Sequence, residues 1–412
     1  MKTRIFLPFL LIATLATTVL FAQENAPVRM KMPAGGYEFA RKLTSTTIPF
    51  KLIDNLIVVQ VELNDTKMNL VLDSGMPFDG AILFGGDKVD LLKLSYSSKM
   101  PVCGVDGSSV LSNVSMGATL KVPKLTLTNQ MIAVIPRDPA RSQQFEGQDG
   151  IIGSSFFAHF IVAVNYERQV ITISKPGNVN FAKAGLGVPV EVRENRIFLK
   201  ADLQLENGSE IPGEFVVDTG NRSTLMLNMV NNSNLVLPDK TISYFTRGLT
   251  GKMERKMGRI KSLKFGDCQM NNVLASFNDG TAGTPPSFEK EGNLGNQILS
   301  RFNVTFDIPE NQIYFKKNEL YNEPFEFNMA GLQIERTIDK NMVVNHVVPG
   351  SPADKAEIKP GDKIIMINSW PSSQLSKDEF EQTFGKTGSR VSVLIEHFGK
   401  TKNVNLQLER FI

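Results

Sequence analysis

Two aspartates end apolar runs of closely similar pattern: Asp73 in MNLVLDSG (68–75) and Asp218 in GEFVVDTG (213–220). A carboxylate at the end of a buried β-rich run is costly unless it is hydrogen-bonded or put to use. One Asp-hydroxyl-Gly tripeptide is ordinary turn sequence; two at matching places in a repeat are not. Packed face to face, such carboxylates share a proton. One can then accept a proton from water while the other donates to a carbonyl oxygen. That chemistry needs no cofactor, metal or imidazole. His159, His346 and His397 stand in unrelated contexts and the cysteines number two, Cys103 and Cys268. A zinc cluster or a Ser or Cys nucleophile with an imidazole base is therefore not expected. Gly75 and Gly220 permit a tight turn and close backbone approach. Ser74 and Thr219 supply hydroxyls that can bond backbone across an interface.

The elements that must present these residues are duplicated. DGIIGSSFFAHFIVAVN (149–165) returns as EGNLGNQILSRFNVTFD (291–307), with Gly150, Gly153, Phe160 and Val162 in register with Gly292, Gly295, Phe302 and Val304. Eighty positions separate Asp73 from Gly153, and seventy-seven separate Asp218 from Gly295. A repeat of this order and spacing implies two copies of one unit. Ahead of each Asp lies a hairpin pattern, NLIVVQVELNDTK and NRIFLKADLQLENGS, alternating about an Asn-Asp or Asn-Gly turn. SSFFAHF and NQILSRF read as short helices, each followed by an apolar strand. The region is mainly β, in lobes over 46–178 and 187–318 joined by the loop KPGNVNFAKAGLG. Ile151-Ile152-Gly153 and Asn293-Leu294-Gly295 are expected to run beside the Asp loops.

Residues 46–318 resemble the retropepsin and pepsin clan of aspartic peptidases, in particular the exported bacterial group with two retropepsin-like lobes in one chain. The resemblance implies two acid-protease β-barrel lobes, Asp73 and Asp218 as catalytic residues, and Ser74, Gly75, Thr219 and Gly220 as their support. It also implies cleavage of an extended peptide between the lobes beneath flap hairpins, for which GVDGSS (104–109) and GLTGKM (248–253) are the candidates. Met76 stands where the family carries a small or hydroxyl residue, so a hydroxyl partner of the carboxylate is missing; Asn221 is the candidate for that task in the second lobe. Asn293 breaks the apolar pattern of the second Gly motif. These departures keep open an alternative, a non-catalytic peptide-binding protein of the cell envelope on the same fold.

From about Met329 the pattern changes. VVPGSPADKAEIKPGDKI (347–364) resembles a bacterial PDZ domain, an α+β unit over 329–411. The resemblance implies capture of an extended C-terminal tail as an added strand beside Gly331, Leu332, Gln333 and Ile334, with loop N–H groups near Gly331 holding its carboxylate. A helix over 376–384 would wall that groove, with Phe380 and Phe384 on one face, the alternative for both being core packing. His346 reads as a half-buried strand residue. The linker ELYNEPFEFN (319–328) is short enough to keep the PDZ domain near the cleft.

With 42% hydrophobic and 21% charged residues, the 412-residue chain can build large cores. A net charge of +3 without like-charge blocks offers nucleic acid or an anionic membrane no footprint. The expected partners are peptide or protein substrates. Residues 1–22 read as a signal peptide, basic then apolar then Ala22. The expected location is periplasmic or extracellular, with an uncleaved N-terminal anchor as the alternative. Two cysteines are too few for a disulfide framework. Two lobes in one chain remove the need to dimerise for catalysis and leave the oligomeric state open.

Overall fold

A computed structural model describes residues 35–104, 108–138, 145–247, 252–280, 291–337 and 339–412. With 52% strand and 12% helix the chain is mainly β. The segment read as a signal peptide lies outside the described residues, as do 105–107 and 248–251 of the two flap candidates.

The sequence repeat is a repeat in space. In the first half Leu56–Leu63 and Thr66–Leu72 form an antiparallel hairpin, turning at Asn64 and Asp65 with φ of 41° and 64°. Asn and Asp tolerate this left-handed region better than other side chains. The strand leading to Asp73 pairs in parallel with Gly150–Ile152, which pairs antiparallel with Ala81–Phe84. In the second half Arg196–Gln204 and Glu210–Val217 form the equivalent hairpin. Glu210–Val217 pairs in parallel with Gly292–Leu294, which pairs antiparallel with Leu225–Asn228. Each short helix follows its Gly motif, at Ser155–His159 and Asn296–Leu299.

The lobes share a six-stranded sheet. Ile161–Asn165 and Phe302–Asp307, equivalent strands of the two halves, pair antiparallel at its centre, with Val162 opposite Phe306 and Val164 opposite Val304. Val170–Ser174 and Ser45–Ile53 extend it on one side, Gln312–Lys317 and Leu186–Arg193 on the other. Both faces bury apolar side chains; Phe157 and Phe306, both fully buried, meet at 4.7 Å between ring centroids. Aromatic burial of this kind stabilises by about 2–3 kcal/mol per side chain. Tyr37–Phe39 pairs with Leu125–Ile135, so ordered sheet begins upstream of residue 46.

The C-terminal unit has its own core around Met342, Ile364, Phe380, Phe384 and Val393. Its sheet runs Leu332–Arg336, Met342–Val347, Lys363–Ile367, Arg390–His397, Lys400–Gln407, with Leu332–Arg336 at an edge. The predicted helix forms at Lys377–Phe384. Its N-cap is Ser376, in a capping box with Glu379. Phe380 and Phe384 are fully buried, 4.7 Å apart, so they belong to the core rather than to a groove wall. The linker is pinned: Arg301 donates to the carbonyls of Leu320, Glu323 and Pro324 and lies over the Phe325 ring. Cys103 is exposed and Cys268 buried, and both are free thiols.

Candidate active site

Asp73 and Asp218 follow the parallel pairings directly. Each backbone N–H donates to the carbonyl before the partner motif's glycine, Asp73 to Ile152 at 3.0 Å and Asp218 to Leu294 at 3.0 Å. Four hydrogen bonds then cross between the lobes. Ser74 Oγ donates to the Val217 carbonyl at 2.7 Å and accepts from Thr219 N at 3.0 Å. Thr219 Oγ1 donates to the Leu72 carbonyl at 2.6 Å and accepts from Ser74 N at 2.9 Å. Both hydroxyl residues have no exposed surface. Loss of any of these bonds strands a buried polar group, so the lattice fixes the two Asp loops against each other.

The two carboxyl groups face each other across the lobe interface, each set against the glycine of the opposite loop. The glycines make that approach possible. A Cβ at Gly75 would lie 2.5 Å from Asp218 Oδ1, and one at Gly220 would lie 2.5 Å from Asp73 Oδ1. No larger residue fits between the loops and the opposing carboxyl group. Asp73 Oδ1 accepts from Gly75 N at 2.9 Å and Met76 N at 3.0 Å. Asp218 Oδ1 accepts from Gly220 N at 2.8 Å. Burial holds the Asp73 carboxyl well above the usual carboxylate range, and the Asp218 charge raises it further. Burial also raises Asp218, but hydrogen bonds from Asn293, Asp73 and the loop backbone work against it. Two carboxyl groups this close cannot both ionise cheaply, and they titrate as a pair.

The residues that depart from the family pattern acquire positions here. The Met76 side chain packs against the cluster of Phe78, Ile82, Ala133 and Ile135, which also takes in Val102 near the tip of the hairpin Tyr96–Cys103 and Ser109–Val122. The expectation for Asn221 needs correction. Its side chain donates to Asn293 Oδ1 at 2.6 Å, and it is Asn293 Nδ2 that donates to Asp218 Oδ2. Asn293, the apparent defect in the Gly motif, is the side-chain partner of the carboxylate.

The second flap candidate is carried by Ile242–Arg247 and Lys252–Phe265, which pair antiparallel on either side of the tip. The C-terminal unit holds this hairpin. Gln333 accepts from Phe245 N at 2.7 Å and donates to Phe245 O at 3.0 Å. His346, half-buried as expected, lies with Nε2 3.0 Å from the Ser243 carbonyl and edge-on to Phe245. A second contact reaches the Asp218 loop: Asp54 bonds Arg222, Lys377 Nζ donates to Asp54 at 2.7 Å, and Asp378 accepts from Asp54 N at 3.1 Å. These contacts were not legible in sequence; the only signal was a turn-forming Asp54-Asn55 opposite the Asp218 loop. Of the four residues expected to receive a peptide, Leu332 is buried and Gln333 is engaged by Phe245. Gly331 adopts φ +73° in a tight loop whose Ala330 and Gly331 N–H groups bond Asn328. Among the described residues, no cluster of three or more His, Cys, Asp or Glu side chains could hold a metal ion.

Residues 201–298, spanning Asp218 to the Gly295 motif, match the family model described as aspartyl protease, and residues 315–396 match the PDZ domain model. The chain joins an aspartyl protease domain to a PDZ domain. The family match falls on the second lobe, and the first is tied to it by the repeat and by the shared sheet. Among solved structures, the aspartic proteinase from Irpex lacteus is similar at 14% identity and a TM-score of 0.44, covering 68% of this chain and 99% of its own. The photosystem II D1 C-terminal processing protease is similar at 24% identity and a TM-score of 0.20, covering 22% of this chain and 25% of its own. No curated protein matches the sequence.

Proposed function

We propose that the protein is an exported aspartic endopeptidase, working in the periplasm or outside the cell after removal of residues 1–22, whose PDZ domain recruits or orients peptide and protein substrates. The observation that carries the reading is the placement of Asp73 and Asp218 face to face at the lobe interface, each carboxyl against the glycine of the other lobe's Asp loop. Water bound to the pair attacks the peptide carbonyl carbon. One carboxylate takes a water proton and the other carboxyl gives its proton to the carbonyl oxygen, forming a neutral gem-diol. The C–N bond then breaks as the newly protonated carboxyl gives its proton to nitrogen and a gem-diol hydroxyl proton returns to the dyad. The dyad is restored, and only the peptide bond and one water are consumed. Substrate tails dock on the PDZ edge strand Leu332–Arg336 by strand addition.

The test is a peptide library incubated with the purified full chain from about pH 3 to 8, the range open to a shared-proton pair. Pepstatin-sensitive cleavage is expected, reduced by about 100-fold or more in Asp73→Asn and in Asp218→Asn. Cleavage by either variant at the parent rate defeats the mechanism. Binding of C-terminal peptides with no cleavage at any pH would favour the non-catalytic alternative.

A further inference from the structure

We infer that a directed chain of side-chain amides in the second lobe makes Asp218 the ionised base and leaves Asp73 as the proton-carrying acid. The inference rests on the peptidase reading for its chemical meaning, but on geometry alone for the asymmetry.

The two lobes differ at two equivalent positions that meet at the dyad. After the Asp-hydroxyl-Gly motif the first lobe has Met76 and the second Asn221; in the Gly motif the first has Ile151 and the second Asn293. Ile151 packs on Leu56, Val58 and Val71, and offers no polar atom to Asp73. Asn293 is buried in the middle of Gly292–Leu294, between the strands opposite Val216 and Met226, where its side chain has little freedom to turn away. The pair is apolar in one lobe and amide in the other.

The direction of the amide chain is set by a backbone group that can only donate. Ser223 N donates to Asn221 Oδ1 at 2.9 Å, and Ser223 Oγ is 2.6 Å from the same oxygen. With Oδ1 so engaged, Asn221 presents Nδ2 to Asn293, which must accept through Oδ1. Asn293 is then left with only N–H to offer Asp218 Oδ2. Flipping either amide would set carbonyl against carbonyl or against carboxylate. Asp218 thus accepts on both oxygens, from Gly220 N and from Asn293. Asp73 accepts both of its loop donors on Oδ1, which leaves Oδ2 to carry the shared proton. Hydrogen bonds to the charged form lower a carboxyl pKa; each carboxyl accepts two, but those of Asp218 engage both oxygens and include a side-chain amide, for which the first lobe has no counterpart. The titratable group facing Asp218 is Asp73; Arg222, on the same loop, is turned onto Asp54. In the reaction, Asp218 therefore takes the water proton and later gives it to nitrogen, while Asp73 protonates the carbonyl oxygen and recovers a proton from the gem-diol. Asn293 is a positioning residue acting through Asp218.

The experiment titrates each carboxyl alone, using ¹³C-carboxyl aspartate labelling of the full chain and subtracting the Asp73→Asn/Asp218→Asn double variant. Asp218 in the Asp73→Asn chain is expected to titrate below Asp73 in the Asp218→Asn chain. Adding Asn293→Leu to Asp73→Asn should raise the Asp218 pKa by about one to two units, the worth of one charge-assisted hydrogen bond. Asn221→Met/Asn293→Ile, which copies the first lobe, should do the same, and Asn221→Met alone should shift it less. In the chain with both aspartates, Asn293→Leu should move the acid limb of the cleavage profile upward with little change in KM. An unchanged Asp218 pKa, or Asp73 titrating below Asp218, overturns the inference. If an Asn293 variant does not fold, the comparison of the two single aspartate variants still decides. Absence of cleavage by the parent chain would sink the peptidase reading and leave the titration result standing.

Discussion

Asp73 joins the pH dependence of the proposed activity to that of stability. Its folded pKa is raised by burial and by Asp218. The stabilisation linked to its proton is thus complete below the ordinary carboxylate range and is lost as pH rises through the raised value. Asp73→Asn should therefore match the parent's stability in acid and exceed it at neutral pH. The gain is about 1.4 kcal/mol for each unit by which the pKa is raised, read from denaturant midpoints across pH. Ser74 is the opposite case, since its hydroxyl is fully used and nothing replaces it. Ser74→Ala deletes one buried donor and leaves Thr219 N unpaired, so a loss of about 2–4 kcal/mol is expected in the same assay.

At the scale of elements, two short strands, Gly150–Ile152 and Gly292–Leu294, do most to aim the aspartates, because each Asp N–H ends on one of them. The glycines beside the carboxylates are set by contact distance rather than by φ. Gly220→Ala would drive a methyl group into Asp73. Cleavage is expected to fall by about 100-fold or more with the far-ultraviolet spectrum unchanged, since misplacement of about 1 Å is enough for that loss. A variant with parent activity would mean that the loops part freely. Met76 packs on the apolar cluster that includes Val102 of the first-lobe hairpin, so a small residue there would cost part of that packing.

Across the whole molecule, the PDZ domain is fixed to the strand Ile242–Arg247 and, through Asp54, to the Asp218 loop. Gln333 satisfies both backbone groups of Phe245 on the side away from Lys252–Phe265. Gln333→Ala should speed hydrogen exchange of the Phe245 amide by about tenfold or more, reflecting loss of about 1.4 kcal/mol of local protection. Amides in Leu56–Leu63 serve as an internal control and should not change. Asp54→Ala removes the shared partner of Arg222 and Lys377. It should raise sensitivity to limited proteolysis at residues 319–328 while leaving the core of either unit intact. Equal protection in both variants would show that the linker, pinned by Arg301, holds the domain unaided.

By itself the sequence determined the duplicated lobes, the paired aspartates, the crossing hydroxyls and the PDZ domain. Each of these rests on local pattern: strand alternation, turn residues, a glycine where backbone must approach, and a repeat that states everything twice. Tertiary structure alone decided three matters, all of which depend on side chains distant in sequence. Asn293 is the partner of Asp218 and Asn221 supports it, because a strand pairing set in register by Val216 and Met226 delivers the amide to the carboxylate. Phe380 and Phe384 share a helical face in any reading, but only the surrounding sheet makes that face core. The PDZ contacts with Phe245 and Asp54 join surfaces about ninety and more than three hundred positions apart, a separation over which no periodicity carries information.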